Sequence, residues 1–280
     1  MRDQLKFYLV PVLLLLFSMQ STAQMERERA NIVEPVETFW TPTLISQATT
    51  EHLSAGNLNV TIMHSFGIAT TNPIQNFFGF DNVQNVRLGL DYGITDKWSA
   101  GIGRSSLFNV VDFRTKYAVL QQNTSGSKPI SISLKADLGI VTQQNRQPFE
   151  DDLSTLTSAI ISKKVNEQIR LQLSPMYGYF SSVGAGNQNH LFSIGLGSQV
   201  NISDRFAIMG EYYPIIGERN SETKNAFSLG LNIQTGGHVF QLFFASTRWH
   251  LEQYAIAQNR EQFWAGDFRF GFNVNRIFGL

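Results

Sequence analysis

The 280-residue chain is sparsely charged, with 16% charged residues against about 25% in typical soluble domains. Lysine and arginine together number 22, as do aspartate and glutamate, so the sequence lacks the basic balance of a nucleic-acid-binding protein. Cysteine is absent, which excludes a disulfide framework, a thiolate metal site and a cysteine nucleophile.

The N-terminus has the pattern of an export signal. Arg2 and Lys6 precede an apolar run over 7–17, and the small residues Ser21, Thr22 and Ala23 follow it. A transmembrane anchor would need about 20 apolar residues, and this run is too short. We therefore predict that residues 1–23 are a signal peptide cleaved after Ala23.

Residues 24–55 show no alternation and carry an alternating Glu/Arg run over 26–29, Pro35 and Pro42. One interpretation is a flexible periplasmic leader. The other is a plug, in which Phe39, Trp40, Leu44 and Ile45 enter the mouth of the following domain.

Period-two alternation of large apolar residues with small polar ones begins at Asn57 and recurs in twelve segments. These segments are 57–66, 85–92, 98–103, 113–119, 130–140, 157–165, 169–174, 192–197, 206–212, 227–233, 240–244 and 268–275. Such alternation is typical of strands whose two faces meet different environments.

The polar positions are mostly Gly, Ser, Asn and Gln, which suits a polar lumen, whereas a soluble sandwich or lipocalin-like barrel would expose many Lys and Glu residues. We therefore predict that residues 56–280 form an all-β, transmembrane, antiparallel up-and-down β-barrel of about 12 strands. Its outer face would contact outer-membrane lipid.

Connections between the segments alternate between short and long, apart from the turn over 201–205 and the loop over 106–111. Outer-membrane barrels have short periplasmic turns and longer external loops. The pattern predicts that both termini lie in the periplasm.

The last segment resembles the signal by which barrel-assembly machinery recognises its clients. Bulky apolar residues of one parity alternate up to the chain end, and they are Phe268, Phe270, Phe272, Val274, Phe278 and Leu280. The alternative is an ordinary hydrophobic edge strand.

Three short motifs, His64-Ser65-Phe66-Gly67, Asn76-Phe77-Phe78-Gly79 and 90–96 (LDYGITD), resemble an uncharacterised Bacteroidota family of outer-membrane β-barrels. Ser65 stands where that family usually has Arg. The resemblance implies a fold and a location, and it transfers no catalytic residue.

The charged residues of the inward parity are the candidate lumen-lining set: Arg87, Asp91, Arg114, Lys116, Lys135, Asp137, Arg170, Glu211 and Arg269. Their excess of three positive charges predicts a mild preference for small anionic solutes if the lumen conducts. A static network that braces the wall is the alternative. One register pairs Arg114 with Asp137 and Lys116 with Lys135, and the next pairs Lys116 with Asp137.

Catalytic and cofactor motifs are not evident. The five histidines are scattered, so we predict no metal site and no cofactor. The glycine pairs Gly101/Gly103 and Gly195/Gly197 are expected to let strands bend.

Three functions remain. The favoured one is a porin-like barrel that passes or binds small solutes. The second is a closed scaffold barrel for a periplasmic or surface partner, favoured by the inward apolar residues Met63, Leu120, Met176, Met209 and Phe243. The third is an outer-membrane lipid or ester hydrolase, which needs a Ser–His pair at the lipid-facing surface.

Overall fold

The computed structural model describes residues 33–145 and 147–279. The chain divides into two units, 1–34 and 35–280, and the second contains the whole sheet. The predicted signal peptide lies outside the described residues, as does Leu280. None of the helices in the described ranges is long and apolar enough to cross a membrane.

Thirteen strands form one antiparallel sheet in the described part of the chain. They are β1 (Asn57–Ile68), β2 (Val83–Thr95), β3 (Trp98–Ser105), β4 (Val111–Leu120), β5 (Ser131–Ile140), β6 (Leu153–Lys164), β7 (Ile169–Phe180), β8 (His190–Asn201), β9 (Phe206–Tyr213), β10 (Ile215–Ile216), β11 (Ala226–Thr235), β12 (His238–Ala245) and β13 (Arg269–Gly279). The strand β10 has two residues, follows Pro214 and pairs with β8.

The other twelve strands close into a barrel. Each pairs with its neighbours in sequence, β9 pairs with β11, and β1 closes the ring against β13 with Asn57 opposite Gly279. The prediction of a 12-stranded antiparallel β-barrel is therefore confirmed. Closure leaves no unpaired strand edge, so the backbone hydrogen bonds of every long strand are made within the barrel wall.

The alternation in the sequence sorts residues between two faces. On β2, for example, Leu88 and Leu90 are exposed on the outside, whereas Asn85 and Arg87 are buried inside. The outer face carries Leu, Ile, Val, Phe and Tyr, as a lipid-facing surface requires.

The barrel has a turn end and a loop end. The turn end has the connections 96–97, 121–130, 165–168, 202–205 and 236–237, and the loop end has 69–82, 106–110, 141–152, 181–189, 214–225 and 246–268. Short 3-10 turns occur in the loops at Phe77–Gly79, Leu107–Asn109, Phe149–Asp152 and Phe263–Ala265.

Two segments fill the interior. Residues 35–56, which we call the plug, enter beside the turn 121–130, where Val36 N–H donates to the Gln122 carbonyl at 2.8 Å. From the loop end, the connection 246–268 folds inward and forms the helix α1 (Glu252–Gln258), whose first six residues are all buried.

Candidate functional site in the barrel interior

The plug is held chiefly by wall side chains that bond to its backbone. One carboxylate oxygen of Glu211, on β9, accepts the N–H groups of Ile45, Ser46 and Gln47 at 2.6, 2.8 and 2.8 Å. Three successive N–H groups around one carboxylate make a compact anion-binding nest. Because Glu211 is fully buried, these three bonds compensate its loss of water, together with the Tyr213 hydroxyl, which donates to the other carboxylate oxygen at 3.4 Å.

Wall donors bind the plug carbonyls in turn. The ammonium of Lys116 donates to the carbonyls of Thr49, at 2.7 Å, and Glu51. Three further wall groups donate to plug carbonyls: Gln172 to Ala48 at 2.8 Å, Asn273 to Ile45 at 2.7 Å and Arg170 to Thr38 at 3.0 Å. The contacts thus extend along the plug from residue 38 to residue 51.

Side chains of the plug make fewer polar contacts. Thr50 Oγ1 lies 2.5 Å from Ser162 Oγ, and His52 Nε2 lies 2.9 Å from Ser133 Oγ. Burial lowers the pKa of His52 to about 3, and the positive charge of Lys116 acts in the same direction. Burial also raises the pKa of Glu51 to about 7, although its carboxylate accepts the N–H groups of Thr38 and Phe39.

Two inner-wall glycines make room for the plug. A Cβ on Gly195 would collide with Nε2 of Gln47, and one on Gly197 would collide with its Oε1. The sequence interpretation assigned this glycine pair to strand bending. The structure shows a close approach instead, because the Gln47 amide lies directly against the backbone of β8.

The helix α1 is tied to the wall by charge. The Lys135 ammonium, on β5, contacts the Glu252 carboxylate and lies 2.6 Å from Asp137 Oδ2. All three side chains are buried. Ala48 N–H donates to Glu252 Oε1 at 3.4 Å, so the plug and α1 meet inside the barrel.

Two ion pairs, the first buried and the second half-buried, cross β3 at its glycines. Arg87 on β2 pairs with Asp112 on β4 at 2.5 Å, and Asp91 on β2 pairs with Arg114 on β4 at 2.5 Å. A Cβ on Gly103 would collide with the Arg87 guanidinium, and one on Gly101 would collide with the Asp91 carboxylate. The second glycine pair therefore also serves a close approach.

The structure resolves the open register. Arg114 lies opposite Asp137 and Lys116 opposite Lys135. Asp137 thus faces a cation across the strands, as either register predicts, but it makes no ion pair with that cation. Its ion pair is with Lys135 on its own strand, because Arg114 reaches the other way, over Gly101, to Asp91.

All nine predicted lumen-lining residues point into the barrel, but they do not form one cluster. Arg269 binds Glu261 at 2.7 Å at the loop end, and Arg170 contacts Thr38 and the Glu167 carbonyl nearer the turn end. The other seven lie between them, around the plug and the two pairs across β3.

The expected excess of three positive charges is not present in the interior. Three carboxylates outside the predicted set offset it, namely Asp112 on the wall, Glu51 on the plug and Glu252 on α1. Asp112 shares the inward parity of Arg114, so the sequence contained its signal. Glu51 and Glu252 lie outside the alternating segments, and no periodicity marks them as interior residues.

Little free volume remains where these groups meet. A cavity of about 50 Å³ lies between the plug, α1 and the wall, lined in part by Arg114, Lys116, Asp137, Glu51 and His250. A water molecule needs about 10–15 Å³ by the same measure, so the cavity has room for a few waters and not for a sugar-sized solute.

Two Ser–His contacts occur inside the barrel. His250 Nε2 lies 3.2 Å from Ser65 Oγ, and His52 contacts Ser133 as described above. The hydrolase hypothesis requires a Ser–His pair that faces lipid, and neither of these pairs does. Within 33–145 and 147–279, no three His, Cys, Asp or Glu side chains are grouped as a metal site.

The described residues of the predicted assembly signal belong to the outward parity of β13, with Phe268 just before the strand. Phe272 stacks on His64 of β1, with 5.1 Å between the ring centroids, and Phe270 lies 5.9 Å from Phe66. These contacts cross the seam at which the first and last strands close the barrel.

A closed antiparallel barrel with an apolar outer face and a polar inner face defines a transmembrane β-barrel protein. The chain belongs to the family described as "Membrane bound beta barrel domain (DUF5777)", whose model matches residues 39–278. The resemblance to an uncharacterised family of membrane β-barrels is thereby confirmed, and the Bacteroidota origin stays an expectation.

The chain is similar to several solved structures at low sequence identity. The KdgM porin is 8% identical, with a TM-score of 0.51, over 78% of this chain and 98% of that one. The NanC porin is 9% identical, with a TM-score of 0.48, over 80% and 99%. An outer membrane channel from Pseudomonas putida F1 is 13% identical, with a TM-score of 0.48, over 82% and 98%. A comparison with curated proteins gave no significant match.

Proposed function

We propose that this protein is an outer-membrane channel whose lumen is closed by its own N-terminal plug, and that small solutes pass when the plug is displaced. Its turn end and both chain termini face the periplasm, and barrel-assembly machinery inserts it. The plug enters beside the turn 121–130, so displacement toward the periplasm draws the chain out along the route by which it enters.

The observation that carries this proposal is the chemistry of the contact between plug and wall. The wall contacts plug backbone through polar side chains, and the rest of the inner wall is rich in Ser, Thr, Asn and Gln. Water can replace such contacts at a net cost of about 0.5–1.5 kcal/mol for each neutral hydrogen bond and about 1.5–3 kcal/mol for each bond to a charged group. The wall would therefore remain well solvated after the plug leaves.

The interior charges set the expected selectivity. With the plug withdrawn, Glu51 leaves the lumen, and Asp112 and Glu252 still offset most of the positive excess. We therefore expect an open lumen that discriminates only weakly between small anions and cations, rather than a clear anion preference.

A reversible lock tests the proposal. The chain has no cysteine, and Thr50 Oγ1 lies 2.5 Å from Ser162 Oγ, so the double variant Thr50→Cys/Ser162→Cys places two thiols within bonding reach. In planar bilayers, we expect no conductance from the oxidised barrel and conductance steps after reduction. The Thr50→Cys single variant should be indifferent to the reductant.

Conductance of equal size from the oxidised and reduced forms would show that the ion path does not pass through the plug position. Silence of the reduced barrel would be ambiguous on its own. Adding Glu211→Ala, which releases the plug, resolves this. A reduced barrel with that substitution that still gives no conductance has no channel.

A closed scaffold barrel is the second candidate, favoured by the apolar packing inside. Trp249, Tyr254 and Ile256 of the loop 246–268 pack with wall residues Leu156 and Leu191 in one buried cluster. Phe39, Leu44 and Ile45 of the plug form another with Met209 and Phe243. Silent bilayers together with a partner that copurifies at one-to-one stoichiometry would favour this function over the channel.

A further inference from the structure

A groove on the outer surface of the loop end is lined by aromatic and cationic side chains. Its lining comprises Tyr212, Arg219, Lys224, Phe227, Phe263 and Trp264, with the amides of Asn225 and Gln262, and its volume is about 200 Å³. We call it the rim groove. Neither the plug nor the channel proposal uses it.

The floor of the rim groove belongs to the lipid-facing surface. Tyr212 on β9 and Phe227 on β11 are direct cross-strand partners on the outward parity, near where both strands reach the loop 214–225. Phe263 and Trp264 fold over Phe227, and their ring centroids lie 4.8 and 5.0 Å from that of Phe227. Aromatic side chains in this position mark the level of the lipid headgroups.

Trp264 is 75% exposed although it is the largest apolar side chain of this cluster. The turn Phe263–Ala265 holds it out over the groove, and Asn225 Nδ2 donates to the Tyr212 hydroxyl at 2.8 Å, which fixes the tyrosine. An exposed indole beside an outward strand pair is well placed to contact an acyl chain or the glycerol region of a lipid.

Hydrogen bonds to the Lys224 backbone hold the cationic side of the rim groove in place. Lys224 N–H donates to the Asn259 carbonyl at 2.7 Å, and Asn259 Nδ2 donates to the Lys224 carbonyl at 3.1 Å. The loop 246–268 therefore holds Lys224 beside the aromatic floor, and Arg219 lines the same groove.

These two cations have no carboxylate partner among the described residues. No acidic side chain lines the groove, and Glu222, in the same loop, lies 3.3 Å from Arg260 instead. Two free cations above an aromatic floor complement a ligand with a negative head and an apolar body. Free inorganic phosphate would use the cations and leave the aromatic floor uncovered.

We infer that the rim groove binds one lipid that carries an anionic phosphate headgroup, from the leaflet that adjoins the loop end. Arg219 and Lys224 bind the phosphate, Gln262 supplies an amide donor, and the lipid body lies along Trp264 and Phe227. The site is independent of the channel, so a barrel with no conductance could still bind the lipid.

Native mass spectrometry of the full barrel in mild detergent tests this inference with phosphatidylglycerol and phosphatidylcholine of identical acyl chains. We expect one retained phosphatidylglycerol at about tenfold lower lipid concentration than phosphatidylcholine, since each basic residue at a membrane surface favours anionic lipid. Arg219→Ala/Lys224→Ala should abolish that difference. Trp264→Ala should weaken the retention of both lipids.

The matched control is Lys97→Ala/Arg205→Ala, which removes two exposed cations at the turn end. It should leave the preference intact. Equal retention of the two lipids by the wild type, or an unchanged preference in Arg219→Ala/Lys224→Ala, would overturn the inference. Loss of the preference in millimolar inorganic phosphate would overturn the lipid assignment and identify a site for free anions.

Discussion

Glu211 accepts the backbone N–H of Ile45 across a separation of 166 residues, with 2.6 Å between the carboxylate oxygen and the nitrogen. The same oxygen binds the next two N–H groups, so a single wall side chain fixes the turn of the plug. Because hydrogen bonds to charged groups contribute about 1.5–3 kcal/mol each, Glu211 is expected to be the strongest single tether.

Replacing Glu211 with alanine should therefore release the plug. The reporter is a single thiol, Ser46→Cys, which is buried in the docked plug and is the only cysteine in the chain. We expect Glu211→Ala to raise its rate of maleimide labelling by at least about tenfold, as loss of 1.4 kcal/mol or more requires. Glu222→Ala, which removes an exposed glutamate, is the control.

Unchanged labelling in a folded Glu211→Ala barrel would show that the remaining contacts hold the plug without the nest. In that case Lys116 is the next residue to change, because its ammonium bonds two plug carbonyls.

The docking of the plug should depend on pH through two residues whose effects on docking have opposite signs. The pKa of Glu51 is raised by burial from 4.5 to about 7, so its contribution to docking is fully present below pH 4.5 and is lost as the pH rises toward 7. The pKa of His52 is lowered by burial from 6.5 to about 3, so its contribution is present above pH 6.5 and is lost as the pH falls toward 3.

Each variant should therefore remove one side of the pH response. Labelling of Ser46→Cys, normalised to an exposed Ser125→Cys reference, is the measurement. Glu51→Gln should abolish the increase between pH 4.5 and 7, and His52→Asn should abolish the increase on acidification from pH 6.5. A pH response that survives in the Glu51→Gln/His52→Asn double variant would assign it to wall groups.

The barrel was predictable from the sequence because strand alternation is a local signal that repeats with period two. Segment 130–140 shows this, since its parity alone assigns Leu134 to the outside and Lys135 to the inside. The interior was less predictable. Ser133 has the parity of a lumen-lining residue, yet it is fully buried against His52, a contact over 81 residues that no local pattern records.

Pairing within the interior was missed for a related reason. Whether a charged residue meets a partner two strands away depends on the side chain that lies between them on the intervening strand. Arg87 and Asp112 meet because Gly103 has no side chain to separate them. Parity places all three residues on the inner face, but the choice among neighbouring partners depends on the register, which the sequence left open.

Gly103→Ala should consequently break a buried ion pair. The added methyl group would collide with the Arg87 guanidinium and come within 2.7 Å of Asp112 Oδ1. Separating a buried pair costs about 3–5 kcal/mol, so we expect a clear drop in the urea midpoint of unfolding from lipid vesicles. Gly210→Ala, on β9, is the control, because its added Cβ would meet its nearest neighbour, Ser198 Oγ, at an ordinary 3.5 Å. A midpoint equal to that of the control would show that the wall yields around Gly103.

The outer face gives a last prediction, which depends on depth in the membrane. Leu134 is 52% exposed on the outside of β5, and Leu231 lies on the outward parity of β11, both several residues from the strand ends. Leu134→Arg or Leu231→Arg should destabilise the folded barrel by about 2–4 kcal/mol, because arginine must then lie near the bilayer midplane.

Ile169→Arg is the matched control, since Ile169 is the first residue of β7, at the turn end, where the cost falls to about 0–1 kcal/mol. Urea unfolding from lipid vesicles measures all three variants. An equal cost at the three positions would contradict a lipid-facing surface with its midplane halfway along the strands, whereas a small cost at Ile169 and large costs at both leucines would place the bilayer as the barrel requires.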